Sequence, residues 1–338
     1  MTRLIMILIL TLSFLSSKDY TKLPKVAKFI DELVKKDRYS KKQLNRLFSN
    51  VELQTLPLKI FSPKKKIKRT KAQMAMLRKL YPKYGAWDRY IKYKITPKRV
   101  ESGVAFLQKY KTTFKRVEKR YGVPKEYICA IIGVESVYGG NVGKYKVFDT
   151  LTTLAFEKNR RNRFFKKELR AFLNLSRRER FNPKNVYGSF AGAIGLGQFM
   201  PSNYQAYGVD FDRNGRVSMQ TPADAIASIA KYLQKNRWKR GESVAVRASY
   251  EGDRFKSYKT GYNRLYFQNQ LKGISPKEPW NYTKKVRLIK LNRKDYDELW
   301  FGAKNFFVIT RYNHSAYYAM TIHQLASLLA KRLEEESI

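Results

Sequence analysis

A mainly α-helical fold with one minor β element is what the apolar spacing of this chain predicts, and three observations carry it. Apolar residues recur every three or four positions over most of the length. Proline and threonine fall where helices would start. Strict alternation, the mark of strands, appears only past Gly241. In order, residues 23–51 are helical in pattern, with Phe29-Ile30 and Leu33-Val34 on one face and Ser40 placed to cap a second turn of Leu44, Leu47 and Phe48. Thr96-Pro97 reads as an N-cap and first helical position, opening a helix with Val100, Val104, Leu107, Phe114 and Val117 inward. A further helix starts near Pro124. Helical segments follow at 150–156 and 164–175, then a glycine-rich stretch at 188–197. The next helix starts at Thr221-Pro222 and passes through Ile226, Ile229 and Leu233 to about residue 237. Residues 243–250 alternate, 285–291 are strand-like and 305–310 form an apolar, β-rich run, together predicting a small antiparallel sheet. Residues 321–333 return to helical spacing through Ile322, Leu325, Leu329 and Leu333. There is no internal repeat and no low-complexity segment.

The chain has 338 residues, 43% of them hydrophobic, enough for two or three packed units. Its net charge of +43 attracts polyanions: nucleic acid, an anionic membrane surface or an acidic cell-wall polymer. The run Lys64-Lys65-Lys66-Ile67-Lys68-Arg69 reads as a solvated loop, since no nucleic-acid motif of defined docking geometry accompanies it. Arg3 precedes twelve mostly apolar residues and then Ser16-Ser17. That order of basic, apolar and small predicts a secretory signal peptide over 1–17, too short to span a bilayer; an uncleaved anchor is the alternative. No cysteine follows it for lipid attachment. The single cysteine, Cys129, sits in an apolar helix and leaves no internal disulfide. Two histidines, His314 and His323, provide no HExxH and no Cys/His cluster for zinc. With no GxSxG elbow either, carboxylate chemistry moves up the list.

One carboxylate stands out. Ile128, Ile131, Ile132 and Glu135 share a helical face, so Glu135 ends an otherwise apolar run, with Pro124 near the start and Gly139-Gly140 just past the end. Partial desolvation and the negative end of the helix dipole both disfavour its charged form. A carboxyl so placed holds a proton near neutral pH and can act as a general acid. The competing reading is an acid pointing to solvent at a frayed helix end. The second motif runs from Gly188 to Ser202, with four glycines among residues 188–197 and the polar Ser189 and Gln198 among apolar neighbours. A phosphate cradle is disfavoured, because no Lys-Ser/Thr follows and no GxGxxG opens a βαβ unit. Plain packing through small residues stays open.

Five segments in order, Tyr121-Gly122-Val123-Pro124, Gly133-Val134-Glu135-Ser136, Gly188-Ser189-Phe190-Ala191-Gly192-Ala193, Gly197-Gln198-Phe199-Met200-Pro201-Ser202 and Arg311-Tyr312-Asn313-His314-Ser315, resemble the membrane-bound lytic transglycosylase B family over roughly 29–329. The resemblance implies a lysozyme-like catalytic core with an added N-terminal α domain and a small antiparallel β element. It implies cleavage of the bond between N-acetylmuramic acid and N-acetylglucosamine in peptidoglycan without water, giving 1,6-anhydromuramoyl ends. Glu135 would then be the single acid and base, and Ser189, Gln198, Tyr312, Asn313 and Tyr318 would line the glycan cleft. The substrate's own N-acetyl group can assist where a second carboxylate is absent; Asp149 and Glu157 remain candidates for such a second group. His314 is expected to be structural.

The third motif is Asp210-Phe211-Asp212-Arg213-Asn214-Gly215-Arg216. Oxygen-bearing side chains at positions 1, 3 and 5, glycine at 6 and the Arg216 carbonyl at 7 match the start of an EF-hand calcium loop. Position 12 is Thr221 where that loop has glutamate. The next carboxylate, Asp224, would ordinarily sit at N3 of the helix that Thr221 caps. The family resembled uses an extended loop ending where Asp224 falls, so a structural calcium held by Asp210, Asp212, Asn214, Arg216 and Asp224 is expected, against a tight Asp/Asn/Gly turn. No cofactor is expected for catalysis. Domain boundaries are expected at 18–118 for an N-terminal α-helical region, 119–240 for the core with the loop 210–224, 241–310 for the β part and 311–338 for a closing segment. The expected partner is the peptidoglycan glycan strand, with no nucleic acid. The protein is expected to be a monomer in the periplasm or envelope of a Gram-negative bacterium, with peripheral envelope association. Two alternatives stay open: a muramidase that lets water attack, and a non-catalytic peptidoglycan-binding scaffold.

Overall fold

A computed structural model describes residues 17–63, 69–80 and 84–336, the Arg78 side chain apart. The apolar stretch read as a signal peptide and most of the lysine run at 64–69 lie outside these residues. Fourteen α-helices and one four-stranded sheet make up most of the described chain, with two two-stranded pairings besides. By contact the chain divides into two units, each of two segments: residues 1–63 with 144–192, and 64–143 with 193–338. None of the described helices is long and apolar enough to cross a membrane.

In the first unit, the helix Pro24–Asp37 buries Val26, Phe29, Ile30 and Leu33, and Ser40 caps Lys41–Phe48 by accepting the Gln43 amide. Val147–Phe156 is buried along its whole length, and Asn162–Arg178 packs against it. Phe29, Phe48, Phe148 and Phe156 meet edge to face around one aromatic core.

In the second unit, Thr96 caps Pro97–Lys109 as its spacing predicts, its hydroxyl accepting the Arg99 amide at 3.2 Å. The single helix expected through Val117 is broken, however. Tyr110 leaves the helical region at φ −110°, folds its ring onto Phe106 at 4.7 Å, and a second helix starts at Lys111 and ends at Tyr121. Lys125–Ser136 packs between Pro97–Lys109 and the long C-terminal helix Ala316–Glu335. The lone Cys129 is buried there, its thiol facing the Gly103 carbonyl at 3.5 Å.

The sheet is antiparallel throughout, in the order Ile274–Pro276, Ala245–Tyr250, Asp297–Gly302, Arg287–Asn292. Two of its strands agree with the alternating segments expected. The run 305–310 does not: it belongs to the helix Lys304–Tyr312. Asn305, Phe306, Val308, Ile309 and Thr310 are all buried, and an apolar run this short is not told from a strand by periodicity alone. That helix carries the chain from the sheet to Tyr312, beside the end of Lys125–Ser136.

Candidate active site

Glu135 occupies the last turn of Lys125–Ser136 and is half-buried. Ser315 caps Ala316–Glu335 by accepting the Tyr318 amide, which sets Tyr318 in the first turn of that helix. From there the Tyr318 hydroxyl donates to Glu135 Oε1 at 2.7 Å. Burial raises the Glu135 carboxyl to about 7, against the opposing pull of the Tyr318 hydrogen bond and of the Lys94 charge. Burial first, and the Glu135 charge next, push the Tyr312 and Tyr318 hydroxyls well above their ordinary range, so both remain donors. The two rings stack at 6.4 Å and 9°. Tyr318 is only 3% exposed, so it holds Glu135 and offers little surface to a glycan. Removing its hydroxyl takes away a bond that favours the carboxylate. In Tyr318→Phe the alkaline limb of the rate–pH profile moves to higher pH; a limb that stays put would refute this role.

The sequence reading missed Lys94, whose charge reaches Glu135, because one lysine among 70 basic residues carries no signal of its own. Gly139-Gly140 lie just past the end of Lys125–Ser136, as their place in the sequence suggests. The stop is Val137, in the left-handed region at φ 53°, followed by Tyr138 at φ 56°. A β-branched residue there stores roughly 1–3 kcal/mol, so the surroundings must impose it. Ser136 does so from within the turn: its hydroxyl donates to the Ile132 carbonyl and accepts the Gly139 amide at 3.2 Å, while its carbonyl takes the Asn141 amide. Tyr138 does so from outside. A Cβ on Gly103 would lie 2.3 Å from its hydroxyl oxygen, and one on Gly133 would lie 2.5 Å away. The ring therefore fits between two helices only because both neighbours are glycine. Tyr138→Ala is expected to lose about 3–5 kcal/mol in thermal or denaturant melts. Tyr138→Phe should be neutral or stabilising, because the hydroxyl is buried without a hydrogen-bond partner. Equal losses in both variants would contradict the wedge.

The glycine-rich segment makes the close backbone approach expected of it. Gly195, at φ 72°, donates nothing to packing itself, but a Cβ there would sit 2.3 Å from the Met219 carbonyl oxygen. Ile194 and Phe199 bridge across the turn, with Gln198 at its tip at φ 48°. The Gln198 side-chain amide donates to the carbonyls of Val142 at 3.0 Å and Gly195 at 2.9 Å. Its NH2 group is thus spent on the protein, and its carbonyl oxygen is what it can offer a ligand. The Tyr312 hydroxyl donates to the Gly197 carbonyl, leaving its ring. Asn313 is exposed, as is His314, whose backbone carbonyl accepts from the Tyr262 hydroxyl. Ser189 belongs to the first unit, where its hydroxyl accepts the Ala191 amide at 3.3 Å.

Asp149 and Glu157, the other carboxylates weighed for catalysis, also belong to the first unit and are engaged there. Asp149 is buried against Lys184 at 3.0 Å, and Glu157 takes Lys18 at 2.7 Å and the Tyr20 hydroxyl at 2.9 Å.

The loop after Pro201–Tyr207 gathers Asp210, Asp212 and Asp224, whose carboxylate oxygens lie within 4.8 Å of one another. Asp224 is buried at the start of Pro222–Lys235, and its Oδ1 accepts the Phe211 amide at 2.7 Å while Oδ2 accepts the Ser218 amide at 2.8 Å. Thr221 makes no side-chain cap, contrary to expectation, and Asp224 serves the loop rather than the orphan amides of its own helix. Asp210 accepts the amides of Asn214 and Gly215, and Gly215 supplies the left-handed residue at φ 84°. Oxygens bound to one calcium at about 2.4 Å cannot be more than about 4.8 Å apart, so the three carboxylates fit a single such ion.

A carboxyl shielded by burial and titrating near neutral pH, with a tyrosine hydroxyl on one oxygen, is equipped for general acid catalysis. The chain belongs to the transglycosylase SLT domain family, whose model matches residues 21–327. It is 37% identical over 314 residues to the membrane-bound lytic murein transglycosylase B of Escherichia coli (strain K12), covering 92% of this chain and 84% of that protein. Among solved structures it is similar to the Escherichia coli lytic transglycosylase Slt35 in complex with calcium, at 36% identity and a TM-score of 0.83, over 93% of this chain and 95% of that one. It is also similar to the soluble lytic transglycosylase SltB1 from Pseudomonas aeruginosa, at 36% identity and a TM-score of 0.81, over 92% and 100% of the two chains.

Proposed function

We propose that this protein is a lytic transglycosylase of peptidoglycan in which Glu135 alone carries the proton transfers. The observation that supports it best is the Glu135 carboxyl itself, raised to about 7 by burial and held by the Tyr318 hydroxyl. Protonated, it donates to the glycosidic oxygen between N-acetylmuramic acid and N-acetylglucosamine as the C1–O bond breaks. The resulting carboxylate removes the proton of the muramoyl C6 hydroxyl, whose oxygen closes on C1. Glu135 ends as it began, protonated, and no water is consumed. Gln198, through its carbonyl oxygen, and Asn313 are proposed glycan contacts, with the Tyr312 ring beside them; Ser189 is carried by the family resemblance. Mass spectrometry of digested peptidoglycan tests the reading. Anhydro ends are expected, and reducing ends would assign hydrolysis instead.

The loop 210–224 is proposed to hold a structural calcium through Asp210, Asp212, Asn214, the Arg216 carbonyl and Asp224. The calcium named in the similar Escherichia coli structure and the convergence of three carboxylates support it. The ion would tie the loop to Pro222–Lys235 and take no part in the proton transfers. An exported protein acting in the periplasm or envelope, and working as a monomer, completes the proposal. The expected functional division at 119–240 is likewise proposed for the catalytic part.

A further inference from the structure

A cavity of about 670 Å³ lies away from Glu135, near the opposite end of the same helix. Lys125 lines it, and ten residues of helix place it about 15 Å from the acid. Its wall is a row of lysines on the helix Lys111–Tyr121: Lys111, Lys115 and Lys119, at i, i+4 and i+8. Like charges at this spacing repel, which a helix tolerates best where a counter-charge arrives. Among the described residues no ion pair engages any of the three.

The remaining polar groups are already committed. Glu118 accepts the Lys125 backbone amide, and Glu336 takes the Gln108 side chain at 2.6 Å. Arg240 is built in: its guanidinium donates to the Lys119 carbonyl at 2.7 Å, and a Cβ on Gly122 would come within 2.7 Å of it. Leu107 and Leu333 add apolar surface. The volume falls in the ordinary range for small ligands, roughly 300–1,000 Å³, too small to seat a nucleic-acid duplex.

We infer that this cavity is a second substrate site that holds the carboxylate-bearing stem peptides of peptidoglycan. The apolar patch faces their alanine methyl groups, and the lysine row faces their carboxylates. The inference rests on the proposed substrate. Its effect is to tether the polymer while Glu135 works on the glycan, raising retention through a second contact without touching the chemistry.

The test compares the full chain with Lys111→Gln/Lys115→Gln/Lys119→Gln, after melts confirm that both fold. Sedimentation binding is measured on intact peptidoglycan, on the same glycan stripped of its peptides by an amidase, and on anionic phospholipid vesicles. The variant is expected to bind intact peptidoglycan about tenfold more weakly, with the stripped glycan bound as before and its anhydro ends released at the unchanged rate. Equal loss on stripped glycan, no loss on intact material, or a loss confined to vesicles would each overturn it. Absence of anhydro ends from the unsubstituted chain would instead sink the proposed activity, and the binding comparison would still read the cavity.

Discussion

Glu135→Gln removes the release of anhydro ends by about 10³-fold or more while the protein stays folded and still binds peptidoglycan. The amide fills the same space and accepts the Tyr318 hydrogen bond, but it has no proton to give and cannot take one back. Retained turnover would reject Glu135 as the acid, and lost binding would point to misfolding. The substitution also has a stability signature with a defined sign. The folded carboxyl titrates at about 7, above its ordinary value of 4.5, so the folded state binds the proton more tightly than the unfolded one. Whatever that proton contributes is fully present below about pH 4.5 and is lost as pH rises through about 7. The glutamine variant does not titrate. Its stability relative to the parent should therefore climb by about 3 kcal/mol between pH 4.5 and 8, one pKa step being worth about 1.4 kcal/mol. A pH-independent difference in denaturant midpoints would show that Glu135 is not held protonated by burial. The rate of the parent should fall over the same range, as the acid loses its proton.

Asp224→Ala is expected to lower stability by about 3 kcal/mol even without calcium, because it strands the buried amides of Phe211 and Ser218. It should also abolish the rise in melting temperature on adding millimolar calcium. In the parent, ion at a hundred times its dissociation constant stabilises by about 2.7 kcal/mol. Asp212→Ala separates the two roles. Asp212 is exposed and its carboxylate accepts only the Asn214 amide, so the ion-free protein should melt almost as before while the calcium response disappears. A parent that shows no calcium response would leave the loop as an Asp/Asn/Gly turn.

The legible parts of this protein are those where local chemistry decides. Thr96-Pro97 and Ser40 cap where they were expected to, because capping needs only a hydroxyl and the next three amides. Glu135 could be picked out because an acid closing an apolar run is conspicuous at any helix end. The helix Lys304–Tyr312 was misread because its apolar run is too short for period to separate helix from strand. The break at Tyr110 depends on an aromatic contact that no period reveals. The two units also escaped a linear reading, since each joins segments distant in sequence.

Residue type and short-range spacing were enough to read the mainly helical class, an acid closing an apolar run, the glycine turn and the aspartate loop. Packing set what those residues do to one another. It put the Tyr318 hydroxyl on Glu135, 183 positions away, and turned the Gln198 NH2 group inward. It also fixed Val137 in a strained conformation with a tyrosine wedged over two glycines. Burial, and hence the proton held near neutral pH, belongs to the packed neighbourhood of a carboxyl and not to its place in the chain.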